Sequence, residues 1–125
     1  MNQEARIKFS GIVKKHLGRG TKMGFPTANI NAPQDIEDAT YLALTNNKPS
    51  MVFIGAPETF EETDRRAESY ILDFSEDLYG QVIEIEILKK LRNNQKFDSE
   101  ADLIEQMKED ERLAREFFAN YNINN

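Results

Sequence analysis

The chain has no cysteine, no tryptophan and a single histidine, His16, among its 125 residues. Without cysteine there is no disulfide framework and no thiolate metal site, and one histidine cannot build a His-rich zinc centre. No apolar run approaches the ~20 residues of a membrane-spanning helix. The opening Met-Asn-Gln-Glu-Ala-Arg lacks the apolar core of a secretion signal, so a cytoplasmic location is the expectation. Positive charge is in deficit too, with 16 Lys and Arg against 22 Asp and Glu for a net charge of −6. That balance argues against a nucleic-acid surface and leaves only local positive charge for a small anionic ligand. No repeat, low-complexity tract or linker divides the sequence, which reads as one domain over 1–125 with 119–125 as a frayed tail.

Against these absences stands one dense loop, Gly18-Arg19-Gly20-Thr21-Lys22-Met23-Gly24-Phe25-Pro26-Thr27-Ala28-Asn29-Ile30. Gly18, Gly20 and Gly24 allow positive φ and close approach of backbone to a ligand, while Arg19 and Lys22 supply charge for phosphate. Thr27 and Asn29 are hard oxygen donors suited to a cation such as Mg²⁺, and two-residue spacing in extended chain puts both on one side. The loop is neither a Walker sequence nor a G-x-G-x-x-G fingerprint. On composition alone it reads equally well as a phosphate loop or as a glycine-rich turn with Pro26 entering an edge strand.

Elsewhere the pattern is strands first and one helix last. Ile7, Phe9, Gly11 and Val13 alternate with Lys8, Ser10 and Ile12, which predicts a strand leading into the loop. Tyr41 to Leu44 and Met51 to Ile54 flank Asn46-Asn47-Lys48-Pro49 as a hairpin. Ala67 to Phe74 and Gln81 to Leu88 read as a second hairpin, with Ile83, Ile85 and Ile87 on one face and Glu84 and Glu86 on the other. After Ser99, Leu103, Ile104, Met107, Ala114, Phe117 and Phe118 fall near helical spacing, and Asp102 stands in the capping-box position. Asp110 interrupts that apolar stripe, which predicts a structural carboxylate, hydrogen-bonded or paired with a cation. Glu68 shares a strand face with Tyr70, Leu72 and Phe74, so alternation directs it inward; an edge position reaching water is the alternative.

From Phe9 to about Phe117 the ordered motifs resemble the riboflavin kinase (flavokinase) family, whose domain also forms one half of bacterial FAD synthetases. The resemblance is carried by Gly18-Arg19-Gly20, by Gly24-Phe25-Pro26-Thr27-Ala28-Asn29-Ile30, by Ile54-Gly55 through Thr59-Phe60, and by Glu68 through Phe74. Asp77-Leu78-Tyr79-Gly80, Leu91-Arg92 and Lys96-Phe97-Asp98-Ser99 complete the order.

The resemblance implies a mainly β fold, a small closed antiparallel barrel with a C-terminal α-helix packed on it, and too short a chain for an adenylyltransferase half. It implies transfer of the ATP γ-phosphoryl group to riboflavin, with Glu68 as catalytic base. Gly18, Arg19, Gly20, Lys22, Gly24, Pro26, Thr27 and Asn29 would bind nucleotide, Thr27 and Asn29 would hold Mg²⁺, and Arg92, Phe97 and Asp98 would lie at the flavin. Phe97 reads equally well as a core residue beneath the helix. The partners implied are riboflavin and ATP, with neither nucleic acid nor membrane, and a monomeric protein. Three departures, Ala39 before Thr40-Tyr41, Glu58 before Thr59-Phe60, and Tyr70 after Glu68, leave a second reading: a relative that binds flavin or nucleotide without turnover, as a sensor or interaction module.

Overall fold

The computed structural model describes residues 7–15, 23–56 and 64–121. Six strands appear where apolar residues alternate or run together: β1 (Lys8–Ile12), β2 (Ala28–Ile30), β3 (Ala39–Thr45), β4 (Lys48–Gly55), β5 (Arg66–Ile71) and β6 (Val82–Arg92). One helix, α1 (Glu100–Ala119), follows them.

The Asn46-Asn47 pair makes the tight turn between β3 and β4, with φ of 50° and 66°. Two consecutive positive φ values suit asparagine better than most residues and match the twist of the flanking strands. This hairpin sits at the centre of a single antiparallel sheet ordered β1-β6-β3-β4-β5-β2. The sheet curls until its outer strands meet, and the Lys14 amide donates to the Asn29 carbonyl at 2.8 Å across the gap. Gly11 permits that meeting, because a Cβ there would stand 3.2 Å from Ile30 Cβ. The result is a nearly closed six-stranded barrel.

The predicted second hairpin is corrected by this order. β5 pairs with β4 and β2, whereas β6 pairs with β1 and β3, so the two are not neighbours. Alternation along Gln81 to Leu88 reveals a half-buried strand but carries no information about its partner. The segment after β5 instead crosses to β1, where Gly80 N donates to the Val13 carbonyl at 2.9 Å and Val13 N to the Gln81 carbonyl at 2.8 Å.

Inside the barrel Ile30, Val52, Ile54, Ala67, Ile83 and Ile85 are almost wholly excluded from water. Three hydroxyls are buried with them: Thr45 Oγ1 lies 2.8 Å from Ser50 Oγ and 2.7 Å from Ser69 Oγ, and Ser50 donates to the Ala43 carbonyl at 3.0 Å. A second cluster forms outside the sheet, where Ala114, Phe117 and Phe118 of α1 cover Leu42, Met51 and Tyr70. Ser99 Oγ accepts the Asp102 amide at 3.1 Å, as the capping pattern predicts, and Glu100 and Asp102 add negative charge to the first turn.

Candidate active site

β2 and β5 pair with Asn29 directly opposite Glu68. Opposed residues on antiparallel strands share a face, so the asparagine amide and the carboxylate lie side by side. Thr27, two residues before Asn29, joins them: its hydroxyl donates to Glu68 Oε1 at 3.2 Å. The other carboxylate oxygen, Oε2, accepts from Arg66 Nε at 2.9 Å. Arg66 was not singled out from sequence, although the Arg66-Ala67-Glu68 spacing places cation and carboxylate on one strand face.

Asn29 Oδ1 is buried and has no hydrogen-bond partner among the described residues. Leaving a buried amide oxygen unpaired costs about 1–3 kcal/mol, so such an atom calls for a ligand. Thr27 and Asn29 thus offer a hydroxyl oxygen and an open amide oxygen, both hard donors that fit a Mg²⁺-type cation. Among the described residues no group of three or more His, Asp or Glu side chains could hold a metal, so a cation here would need oxygens from phosphate or water as well.

Glu68 shares its face with Tyr70, as alternation predicts, but that face is not the barrel interior. Ala67, Ser69 and Ile71 are the buried, inward residues of β5, and Glu68 and Tyr70 point out toward the side that α1 covers. The outer face of β5 carries Arg66, Glu68 and Tyr70, and because Tyr70 and the following Leu72 pack beneath α1, their apolar bodies read in the sequence like barrel core. The carboxylate is nevertheless sheltered, with 16% of its side chain exposed.

Phe25 is buried with its ring edge-on to Tyr70 at 5.3 Å, and the Tyr70 hydroxyl donates to Glu111 Oε1 at 3.3 Å. Burial first, and the Glu111 carboxylate second, push the Tyr70 phenol above its ordinary value. Arg115 completes the connection, bonding Glu111 at 2.9 Å and the two oxygens of Asp73 at 2.9 and 3.1 Å. A chain of contacts therefore runs from α1 through Tyr70 to the segment carrying Thr27.

Of the other predicted residues, Gly24 has the positive φ expected of it, 92°, and Pro26 is exposed beside it. Gly18, Arg19, Gly20 and Lys22 lie outside the described residues, as do Glu58, Thr59 and Phe60. Ala39, one of the three departures, is fully buried in the barrel core, on the face opposite to the one Glu68 occupies. Arg92 grips Asp110 through Nε at 2.9 and 3.0 Å and Nη2 at 2.8 Å, and Gln106 Nε2 adds a bond of 2.9 Å. Asp110, 2% exposed, is thus the cation-paired structural carboxylate that the sequence predicts. The Arg92 guanidinium also lies 6.0 Å from the centre of the half-buried Phe97 ring, and Asp98 next to it is exposed.

The chain is similar to several known proteins. The family model described as riboflavin kinase matches residues 3–118. A trifunctional protein RibF/MnmA of Mycoplasmoides gallisepticum is 36% identical over 115 residues, 86% of this chain and 18% of that protein. The RNA-binding riboflavin kinase RibR of Bacillus subtilis is 36% identical over 107 residues, 81% of this chain and 46% of that one. The chain therefore spans less than half the length of these curated relatives. Among solved structures, a Streptococcus pneumoniae protein described as a macrolide-efflux protein superposes with a TM-score of 0.76 at 30% identity, over 94% of this chain and 40% of that chain. No helix among the described residues here is long and apolar enough to cross a membrane. Riboflavin kinase from Trypanosoma brucei shares the fold, with a TM-score of 0.64 at 22% identity over 90% of this chain and 80% of that one. With the family model covering nearly its whole length, and with its barrel, helix and motif order all in agreement, this chain belongs to the riboflavin kinase family.

Proposed function

We propose that the chain transfers the γ-phosphoryl group of ATP to the 5′-hydroxyl of riboflavin, giving FMN and ADP. The observation that carries this reading is the convergence of Thr27, Asn29 and Glu68 on adjacent strands, with an open amide oxygen at its centre. A primary alcohol is a weak nucleophile at neutral pH, and a carboxylate within hydrogen-bond reach orients it and accepts its proton as the new P–O bond forms. Glu68 takes that role. Its oxygens together offer about four lone-pair directions, so the bonds from Thr27 and Arg66 leave room for a substrate hydroxyl.

Phosphoryl transfer otherwise depends on positioning and charge stabilisation. Thr27 and Asn29 would hold Mg²⁺, which would supply positive charge against the phosphate oxygens. Gly18, Arg19, Gly20, Lys22, Gly24 and Pro26 are assigned to nucleotide binding. The flavin is assigned to the region of Arg92, Phe97 and Asp98, where Arg92 anchors the Phe97 ring as well as Asp110. The protein is taken to act as a cytoplasmic monomer on small molecules.

The test is direct. Purified protein is incubated with riboflavin, ATP and Mg²⁺, FMN is separated by chromatography, and Glu68→Gln is run in parallel. FMN from the wild type and none from the variant supports the kinase with Glu68 as its base. Flavin binding without FMN supports the second reading, a binder without turnover.

A further inference from the structure

The Glu68 carboxylate is held from two sides, and the proposed reaction accounts for only one of the holders. Arg66 is 7% exposed, and besides its bond to Glu68 Oε2 its Nη1 donates to the Asp64 carbonyl at 3.2 Å. The guanidinium is thereby moored to the backbone just ahead of β5, while its Nε fixes the plane of the carboxylate two residues on. Burying an arginine is costly unless its charge is paired, and the pairing seen here is with Glu68.

The Thr27 hydroxyl has a single proton, and donating it to Glu68 Oε1 leaves the oxygen lone pairs for a cation. Were the carboxylate free to turn, that hydroxyl could rotate and donate elsewhere, presenting a proton where an acceptor is required. The orientation of Glu68 therefore governs two things at once: the direction from which a substrate hydroxyl is received, and the face that Thr27 shows to the metal.

We propose that Arg66 is a positioning residue that, by clamping Glu68, sets both the base and the Thr27 cation ligand. The inference rests on the reading of Thr27, Asn29 and Glu68 given above, and it predicts coupling of a kind that a purely structural arginine lacks. The effect of Arg66 on the metal is assigned to its bond with Glu68, so on this proposal its loss has no further effect once Glu68 has been altered.

The experiment measures Mn²⁺ binding by electron paramagnetic resonance in the presence of ADP, alongside steady-state kinetics and thermal melts. The proteins are wild type, Arg66→Met, Arg66→Lys, Glu68→Gln and the Arg66→Met/Glu68→Gln double variant. Arg66→Met is expected to weaken Mn²⁺ binding at least fivefold and lower kcat at least tenfold, with KM for riboflavin within twofold. Arg66→Lys keeps the charge but not the fork and falls between, and the double variant binds Mn²⁺ within twofold of Glu68→Gln alone. Wild-type Mn²⁺ affinity in Arg66→Met, or losses that multiply in the double variant, would overturn the proposal. If Arg66→Met does not fold, Arg66→Lys decides: wild-type Mn²⁺ binding and kcat in that variant overturn it equally. A wild type that binds Mn²⁺ but makes no FMN sinks the kinase reading and leaves the Mn²⁺ comparison to judge Arg66. A wild type that binds no Mn²⁺ sinks the cation reading and the proposal with it.

Discussion

Arg92 at the end of β6 holds both carboxylate oxygens of Asp110 in the middle of α1, with hydrogen bonds of 2.8 to 3.0 Å. The pair locks the helix to the barrel at a point where one partner, Asp110, is almost wholly buried. Removing one member of such a pair leaves an uncompensated charge at a cost of about 3–5 kcal/mol. Asp110→Ala is therefore expected to destabilise the protein by about that amount in urea denaturation. A joint Arg92→Met/Asp110→Leu replacement should recover most of the loss, since two apolar side chains leave no stranded charge.

Asn29 offers a case in which stability and function move in opposite directions. Its Oδ1 is buried without a partner, so Asn29→Leu removes an unsatisfied polar atom at similar volume. The variant is expected to melt at the wild-type temperature or above it. Its binding of Mn²⁺ with nucleotide should fall more than tenfold, and FMN formation with it. A variant that lost stability and kept binding would remove Asn29 from the cation site.

Tyr70 gives the protein a sensitivity to alkali. Burial, and then Glu111, raise its phenol above its ordinary value of 10.0, with Asp73 acting the same way and Arg115 opposing. The folded state thus keeps the phenol protonated at a pH where the unfolded chain releases it. That stability is fully present below pH 10 and is lost as pH rises through the folded value. Tyr41, raised chiefly by burial and then by Glu37 and Asp38, adds to the same trend. Melting temperature should fall as pH rises above about 10, and Tyr70→Phe should flatten part of that fall.

Gly55 ends β4 with φ of 148°, and a Cβ there would stand 2.9 Å from Asn94 Nδ2. Asn94 bridges strands through the Ile54 carbonyl at 2.9 Å and the Thr40 hydroxyl at 3.2 Å. Gly55→Ala must both strain the backbone and push this amide aside. Strained φ and ψ cost on the order of 1–3 kcal/mol, and the loss should appear in equilibrium unfolding.

Much of this was legible because certain residues carry unambiguous local instructions. Asn46-Asn47-Lys48-Pro49 marks the hairpin, although Lys48 and Pro49 already belong to β4, Ser99 specifies a helix start, and Ile83, Ile85 and Ile87 specify which face of β6 is buried. Asp110 was legible as a structural group because a carboxylate on an apolar stripe requires a partner. Three features were not legible, each for a physical reason. The pairing of β6 with β1 and β3 is a long-range choice that alternation does not encode. The outward orientation of Glu68 was hidden because Tyr70 and Leu72, on its side of the chain, are covered by α1 and read in the sequence as barrel core. Nothing in the sequence marks the hydroxyls of Thr45, Ser50 and Ser69 for the core, because only their mutual hydrogen bonds make burial tolerable. At the site, Thr27, Asn29 and Glu68 stood out through the family's motif order, whereas Arg66 has no such signature.

The strand order has a kinetic consequence. β3 and β4 are joined by two residues and can zip locally, but β1 finds its partner β6 only after some seventy intervening residues have been arranged, and β2 must wait for β5. Closing such long loops before any contact rewards them slows folding. The hairpin at Asn46-Asn47 is thus the natural place for structure to begin, with the Lys14 to Asn29 bond as one of the last to form. Asn29, Thr27 and Glu68 meet across one of these late pairings, so catalytic competence should trail the acquisition of β-structure during refolding.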